Sequence, residues 1–148
     1  ELVRGEEDNE HELATSLTNL AAIHYKKGDL EKAGNAVDRA LAIYDGMAEP
    51  NVHHAAALSM KASLLLGAGK TAEALEHYAK SLGLTRRFFG ENIEYAVTES
   101  NIATAHAALG DIPSAASHLE KALTLFIKFL GPDHPRAAEC RRMLGNLK

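Results

Sequence analysis

Cysteine is almost absent from this sequence of 148 residues, and tryptophan is missing altogether. The one cysteine, Cys140, cannot form an internal disulfide, so we expect a reducing compartment and a cytoplasmic location. The longest apolar runs, such as residues 62–66, are too short to cross a bilayer, so we expect no membrane segment. The first residues are acidic where a secretory signal would be basic, and without an initiator methionine we expect a part of a longer polypeptide.

An excess of basic charge is also lacking. The net charge of -4 argues against nucleic acid as a partner, because nucleic-acid binding needs lysine and arginine massed on one face. Four prolines and eleven glycines are too few for a disordered or collagen-like chain. Aromatic residues make up only 5%, so a core must be built from small and aliphatic side chains, as in many helical proteins. The length fits one domain.

Small residues recur along the chain at intervals of 41 residues. Gly28, Gly69 and Gly110 follow this interval, and so does a column of four alanines at positions 14, 55, 96 and 137. A fixed interval of this kind indicates a repeat protein in which each unit packs on its neighbours. We predict three repeats, at about 9–49, 50–90 and 91–131. A charged stub at 1–8 precedes them and a capping helix at 133–147 follows, so that the repeat domain spans 9–148.

Each repeat reads as two helices joined by a glycine turn. Apolar residues are spaced three and four apart before each glycine, which predicts an amphipathic helix. The glycine can end that helix in a left-handed conformation, and a polar residue after it can cap the next one. The expected caps are Asp29, Thr71 and Asp111. Large residues predicted to fill the space between the helices are Leu17, Leu20, Leu58, Leu82, Ile102, Leu119 and Leu123.

These repeats resemble those of the tetratricopeptide family. The family's alternation of bulky, small and aromatic positions is matched in the first unit by Leu17, Leu20, Ala21, His24, Ala33, Val37 and Ala40. Lys61 and Glu99 depart from it by replacing apolar residues. A repeat of 41 residues is similar to the long-repeat subclass found in kinesin light chains and many bacterial proteins. The resemblance implies an all-α superhelix of three hairpins plus a capping helix, and a non-catalytic role in binding a protein or peptide.

The resemblance also implies that the first helices of the hairpins line a concave binding groove. Asparagines in the register of Asn19 and Asn101 hold an extended peptide backbone in related proteins, because an amide both donates and accepts hydrogen bonds. The alternative is that these amides bond to a neighbouring helix. We expect an extended, weakly acidic peptide in the groove. The full predicted set is Thr15, Thr18, Asn19, Ala22, Tyr25, Lys26, Ser59, Met60, Ser63, Ser100, Asn101, Thr104 and Arg141.

Other chemistries find little support in the sequence. Residues 67–71 look like the end of a phosphate-binding loop but lack its first glycine, so no cofactor is predicted. The eight histidines show no metal-binding spacing, and no catalytic group of residues is evident. The alternative function is a peptide-sensing regulatory segment of a larger signalling or transcription-regulating protein. At the N-terminal end, further repeats or the pairing of two copies both remain open.

Overall fold

The described part of the chain consists of seven α-helices and contains no β-strand. A computed structural model describes residues 2–147, with side chains from residue 5 onward, so Glu1 and Lys148 at the ends of the predicted segments lie outside it. The helices are α1 (Leu2–Lys26), α2 (Leu30–Asp45), α3 (Val52–Gly67), α4 (Thr71–Phe89), α5 (Ile93–Ala108), α6 (Ile112–Leu130) and α7 (Pro135–Asn146).

Successive helices pack as hairpins. The pairs α1–α2, α3–α4 and α5–α6 form three hairpins, each of which contacts the next, and α7 packs on α6. The first helices of adjacent hairpins also touch, α1 with α3 and α3 with α5, so they share one side of the stack. The predicted all-α solenoid of three hairpins and a last helix is therefore confirmed.

The turns inside the hairpins follow the predicted chemistry with one exception. Gly28, Gly69 and Gly110 have φ angles of 81°, 81° and 77°, a left-handed conformation that favours glycine. The Asp29 and Asp111 side chains each accept a hydrogen bond from a backbone N–H at 3.2 Å, which confirms both caps. The expected cap at Thr71 is wrong, because α4 already includes this residue and Lys70 precedes it without a capping side chain.

Alanine allows the helices of a hairpin to approach closely. Ala14, Ala55, Ala96 and Ala137, the column of alanines at intervals of 41 residues, are all buried, and larger apolar side chains pack around them. Leu20 contradicts the prediction that it belongs to this core, because 43% of its surface is exposed. Its counterparts one and two repeats later, Lys61 and Ile102, lie against the preceding hairpin. Leu20 belongs to the first hairpin of the described chain and has no such neighbour.

The first helix begins earlier than the sequence suggested. We expected the first unit near Asn9 after a charged stub, whereas α1 runs continuously from Leu2. Glutamate is a good helix former, so the acidic run at residues 6–12 is compatible with a helix that begins at Leu2. The division of the chain into a stub at 1–8 and a repeat domain stays a prediction.

Candidate functional site

A cavity of about 380 Å³ lies where α3, the C-terminal half of α4 and the N-terminal half of α5 meet. We call it the central cavity. It contains four of the residues that the sequence predicted for the groove, namely Ser59, Met60, Ser63 and Asn101. The residues lining it are Val52, His53, Ala55, Ala56, Ser59, Met60, Ser63, Ser81, Thr85, Phe89, Glu94, Val97, Thr98 and Asn101.

The central cavity exists because one buried position on α4 carries a short side chain. Thr85 lies 41 residues after Tyr44 and 41 residues before Phe126, so the three occupy the same place in successive hairpins. All three are buried. A threonine lacks the ring that Tyr44 and Phe126 carry at this place in the first and third hairpins. The missing ring leaves the space open.

A second, smaller cavity one repeat further along supports this explanation. It has a volume of about 100 Å³ and is lined by Val97, Ser100, Asn101, Phe126, Arg136, Glu139 and Cys140. Val97, Ser100 and Asn101 stand 41 residues after Ala56, Ser59 and Met60 of the central cavity. The ring of Phe126 takes the place of Thr85. The same groove therefore continues along the stack and narrows where the aromatic side chain returns.

Three hydroxyl groups at the floor of the central cavity donate hydrogen bonds to backbone carbonyls of the protein itself. Ser81 Oγ donates to the Ala55 carbonyl at 2.8 Å, and Thr85 Oγ1 donates to the Ser81 carbonyl at 3.0 Å. Thr98 Oγ1 donates to the Glu94 carbonyl at 3.0 Å. Donors that are already satisfied cannot be offered to a ligand without breaking these bonds. These three hydroxyl groups are therefore not free to donate to a ligand, and the methyl groups of Thr85 and Thr98 offer apolar surface beside them.

Two further hydroxyl pairs hold α3 against α4 beside the cavity. Ser59 Oγ lies 2.6 Å from Ser81 Oγ, and since the Ser81 hydrogen is used elsewhere, Ser59 is the donor. Ser63 Oγ lies 2.8 Å from the phenol oxygen of Tyr78. Burial raises the pKa of Tyr78, so this phenol stays protonated and can donate near neutral pH. The predicted site residues Ser59 and Ser63 thus have structural partners as well as faces toward the cavity.

Asn101 and Asn19 occupy the same place in their repeats but different surroundings. Asn101 lines both the central and the smaller cavity, whereas Asn19 is exposed on α1 and lines neither. No hydrogen bond joins either amide to another described residue, so the alternative of a bond to a neighbouring helix gains no support. Asn101 is the amide placed to meet a ligand that lies across both cavities.

The remaining predicted residues lie outside the two cavities, apart from Ser100 in the smaller one. Thr18 is buried and its hydroxyl donates to the Ala14 carbonyl at 2.9 Å, so its place in the groove stays a prediction. Arg141 donates to the Pro132 carbonyl at 2.7 Å. The other predicted residues that line neither cavity are Thr15, Ala22, Tyr25, Lys26 and Thr104.

Residues of α4 are among the parts of the site that the sequence analysis missed. Ser81, Thr85 and Phe89 line the central cavity from the second helix of a hairpin, although attention was directed to the first helices. The repeat alignment could have identified Thr85. Positions 44, 85 and 126 are equivalent and carry tyrosine, threonine and phenylalanine, so one side chain in this column is much smaller than the other two.

A buried carboxylate lies outside the groove, between α5 and α6. Glu99 is only 2% exposed, and it is hydrogen-bonded to Nδ1 of His118. Lys121 Nζ lies 3.8 Å from its other oxygen, and the His118 ring stacks on His106 at 5.3 Å. These contacts compensate the burial of charge at a position where the other hairpins carry Leu17 and Leu58. Among the described residues, no group of three or more histidine, cysteine or acidic side chains is arranged to hold a metal ion.

The stacked hairpins and the groove between them define an all-α helical repeat protein. Two protein-family models match the sequence. One model described as tetratricopeptide repeat matches residues 53–128 and 94–148, and a second with the same description matches 13–44. Because the first model covers more than half of the sequence, the chain belongs to the tetratricopeptide repeat family.

Solved structures with the same fold include relatives of the long-repeat subclass. BtubC (BKLC) from P. vanneervenii is 23% identical with a TM-score of 0.78, over 99% of this chain and 58% of that one. The TPR-like repeats of a Podosopora anserina protein with the kinesin light chain name are 19% identical with a TM-score of 0.78, over 93% and 66%. The apo form of RapI is 24% identical with a TM-score of 0.78, over 92% and 48%. The chain thus spans about half to two thirds of each relative's length, and at these identities the likeness shows the fold alone.

Within residues 2–147, no helix is both long enough and apolar enough to cross a bilayer.

Proposed function

We propose that this chain binds an extended segment of a partner protein along its first helices and anchors one apolar side chain of that segment in the central cavity. Membership of the tetratricopeptide family indicates a role in protein–protein interaction. The observation that carries the finer proposal is the missing ring at Thr85, which leaves a cavity of about 380 Å³ beside Asn101. Ligand sites are typically concave and mostly apolar, with a few placed polar groups.

The chemistry of the lining favours an apolar guest over the weakly acidic one expected from the sequence. The only ionisable side chains at the central cavity are His53 and Glu94 among the described residues, and Lys26 and Arg141 lie outside it. The hydroxyl hydrogens of Ser81, Thr85 and Thr98 are already donated to the protein's own carbonyls. Burying an apolar side chain there releases water from apolar surface, which is the main favourable term in such binding.

Asn101 supplies the polar part of the proposed contact. Its amide has a donor and an acceptor, which match the carbonyl and N–H of an extended backbone whatever the peptide sequence. It lies at the junction of the two cavities, so a peptide whose side chain enters the central cavity would pass it. We expect Asn101→Ala to cost about 1–3 kcal/mol of binding free energy through lost hydrogen bonds. Asn19→Ala should have little effect, because Asn19 is remote from the cavities.

Filling the cavity tests this proposal. Peptides selected by the wild-type chain from a random library should share an apolar anchor, and Thr85→Phe should weaken their binding at least about tenfold, a loss of about 1.4 kcal/mol. The matched control is Thr124→Phe, which adds the same ring to an exposed position on α6. It should leave the dissociation constants measured by calorimetry unchanged. Equal binding by the wild type and Thr85→Phe would contradict the proposal, as would selected peptides without an apolar anchor.

A further inference from the structure

The first helix carries a stripe of residues that faces away from the rest of the stack and includes three large apolar side chains. Residues spaced alternately four and three apart form this stripe, the outer seam, which consists of Asn9, Leu13, Ser16, Leu20, Ile23 and Lys27. Its three large apolar side chains, Leu13, Leu20 and Ile23, are 47%, 43% and 50% exposed. Alternating spacing of this kind is the pattern by which one helix packs lengthwise against another.

The repeat register shows that this stripe is a helix-packing face. Ile102 of α5 corresponds to Leu20, and it is buried in a cluster with Tyr78 of the preceding hairpin. Ala105 corresponds to Ile23 and is fully buried. Tyr95 corresponds to Leu13 and is also buried, with the Arg86 guanidinium 5.8 Å from its ring centre. In α5 a helix therefore covers the positions that α1 leaves exposed.

The charges on α1 indicate what covers its outer seam. The N-terminal half carries Glu6, Glu7, Asp8, Glu10 and Glu12, whereas the C-terminal end carries Lys26 and Lys27. None of these charges forms an ion pair with another described side chain. A second α1 that runs antiparallel to the first places each acidic half beside the lysines of the other, whereas a parallel arrangement would place the acidic halves together. Charge complementarity therefore fits an antiparallel copy.

We propose that two copies of this chain pair through their outer seams, with the two α1 helices antiparallel. The two-fold axis crosses the outer seam at the height of residue 18 along the helix. This arrangement places Leu13 against Ile23 of the partner subunit. It also places Leu20 against Ser16 of the partner subunit, so a large side chain meets a small one. The contact is isologous, which is the commonest way for identical chains to associate. It does not depend on the groove or on any peptide.

The size of the contact predicts a weak dimer. A helix of 25 residues is about 37 Å long, and one face of it buries less than the roughly 800 Å² per partner of a standard interface. We therefore expect association that depends on concentration. Sedimentation equilibrium of the 148-residue chain should show its mass rising from that of a monomer toward that of a dimer as concentration increases.

Substitutions on the outer seam distinguish an effect on dimerisation from an effect on folding. Leu20→Asp and Ile23→Asp each place a charge in the proposed contact and should weaken association at least tenfold. The helical circular dichroism should stay unchanged, because both positions are exposed in the single chain. Leu109→Asp is the matched control, since Leu109 is 56% exposed at the end of α5, away from the seam. A monomer at every concentration overturns the proposal and leaves a helix of another hairpin as the occupant of the seam. A dimer that Leu20→Asp and Leu109→Asp affect equally overturns it as well.

A charge exchange tests the antiparallel orientation. Asp8, Glu12 and Lys26 lie along one edge of the seam, because they are spaced at multiples of about one helical turn. The double variant Lys26→Glu/Lys27→Glu should weaken the dimer at least tenfold. Adding Asp8→Lys and Glu12→Lys to it should restore the wild-type dissociation constant to within about threefold. The proposed orientation is overturned if the double variant associates as tightly as the wild type. It is also overturned if adding Asp8→Lys and Glu12→Lys fails to restore association.

Discussion

The second hairpin, α3–α4, and the third, α5–α6, have the same helix register and differ in what they bury. At one place the second hairpin has Thr85 and the third has Phe126, and at another the second has Leu58 and the third has Glu99. All four side chains are buried. The backbone is therefore set by the recurring alanines and glycines, while the larger buried positions are free to vary between hairpins. This variation gives each hairpin properties of its own.

The first difference determines where the groove is deep. Beside Thr85 the cavity measures about 380 Å³, whereas beside Phe126 it measures about 100 Å³. The cavities are related by one repeat step, and Ala56, Ser59 and Met60 in one correspond to Val97, Ser100 and Asn101 in the other. A single side chain in the second helix of a hairpin thus controls a surface that the first helices were expected to define.

The second difference places charge in the core of the third hairpin. Glu99 is paired with His118 and Lys121, whereas Leu58 in the second hairpin packs in an apolar cluster. Burying polar groups of this kind costs desolvation that their mutual attraction only roughly offsets, so we expect the Glu99 contacts to give the third hairpin little net stability. Removing one partner alone leaves an uncompensated charge. The two hairpins should therefore respond very differently to substitution at equivalent positions.

The largest effect should come from giving the third hairpin, at position 126, the threonine that the second hairpin has at position 85. Phe126→Thr removes a fully buried ring, and we expect it to lower the free energy of unfolding by about 4 kcal/mol. It should also enlarge the smaller cavity. Urea unfolding measures the loss, and Phe129→Thr on the exposed side of the same helix is the control, with an expected loss below about 0.5 kcal/mol. Equal losses in the two variants would show that the ring at 126 does not fill the groove.

A smaller but still large effect should follow from breaking the Glu99 pair. His118→Ala leaves the buried carboxylate with only Lys121 at 3.8 Å, and should cost about 3 kcal/mol in urea unfolding. The double variant Glu99→Leu/His118→Ala installs the residues that the first hairpin has at these places, Leu17 and Ala36. It should unfold within about 1 kcal/mol of the wild type. A double variant as unstable as His118→Ala would mean that packing, rather than the unpaired charge, causes the loss.

The fold could be predicted from the sequence because its signal is distributed over many positions. Columns of alanine and glycine at one interval fix the hairpins, and the Asp29 and Asp111 caps follow from local chemistry. Leu20 was misplaced because a leucine in a core register is buried only where a neighbouring helix exists. The beginning of α1 was missed because a run of acidic residues is compatible with a solvated stub and with an exposed stretch of helix.

The depth of the groove was beyond the sequence analysis for a different reason. A cavity depends on one short side chain among large ones, and the resemblance to the family drew attention to the first helices alone. Ser59, Met60, Ser63 and Asn101 were predicted for the groove and do line the central cavity. Thr18 is in register with Ser59 but lines neither cavity, because the 3.6-residue period assigns a residue to a helix face and not to a depth in the groove.

The smallest effect should be a difference in pH dependence between hairpins. His54 occupies the place that Tyr95 has in the third hairpin, and its ring stacks on Tyr44 at 5.2 Å. Burial lowers the pKa of His54, and Lys80 adds to this, while Asp45 partly opposes it. The contact to Asp45, 3.4 Å from Nε2, is not aligned as a hydrogen bond, so burial prevails. The folded protein therefore holds this imidazole neutral at a pH where the unfolded chain protonates it.

This shift makes the second hairpin sensitive to acid. The unfolded state binds more protons than the folded state below the ordinary histidine pKa of about 6.5, so the free energy of unfolding falls as the pH drops through that value to the lower folded pKa. His54→Tyr, which installs the third hairpin's residue, removes this contribution. The unfolding free energy of the variant minus that of the wild type should therefore increase as the pH is lowered from about 8 to 5 in urea titrations. A difference that stays constant over this range, or an equal change for the exposed neighbour in His53→Tyr, would show that His54 is not the group responsible.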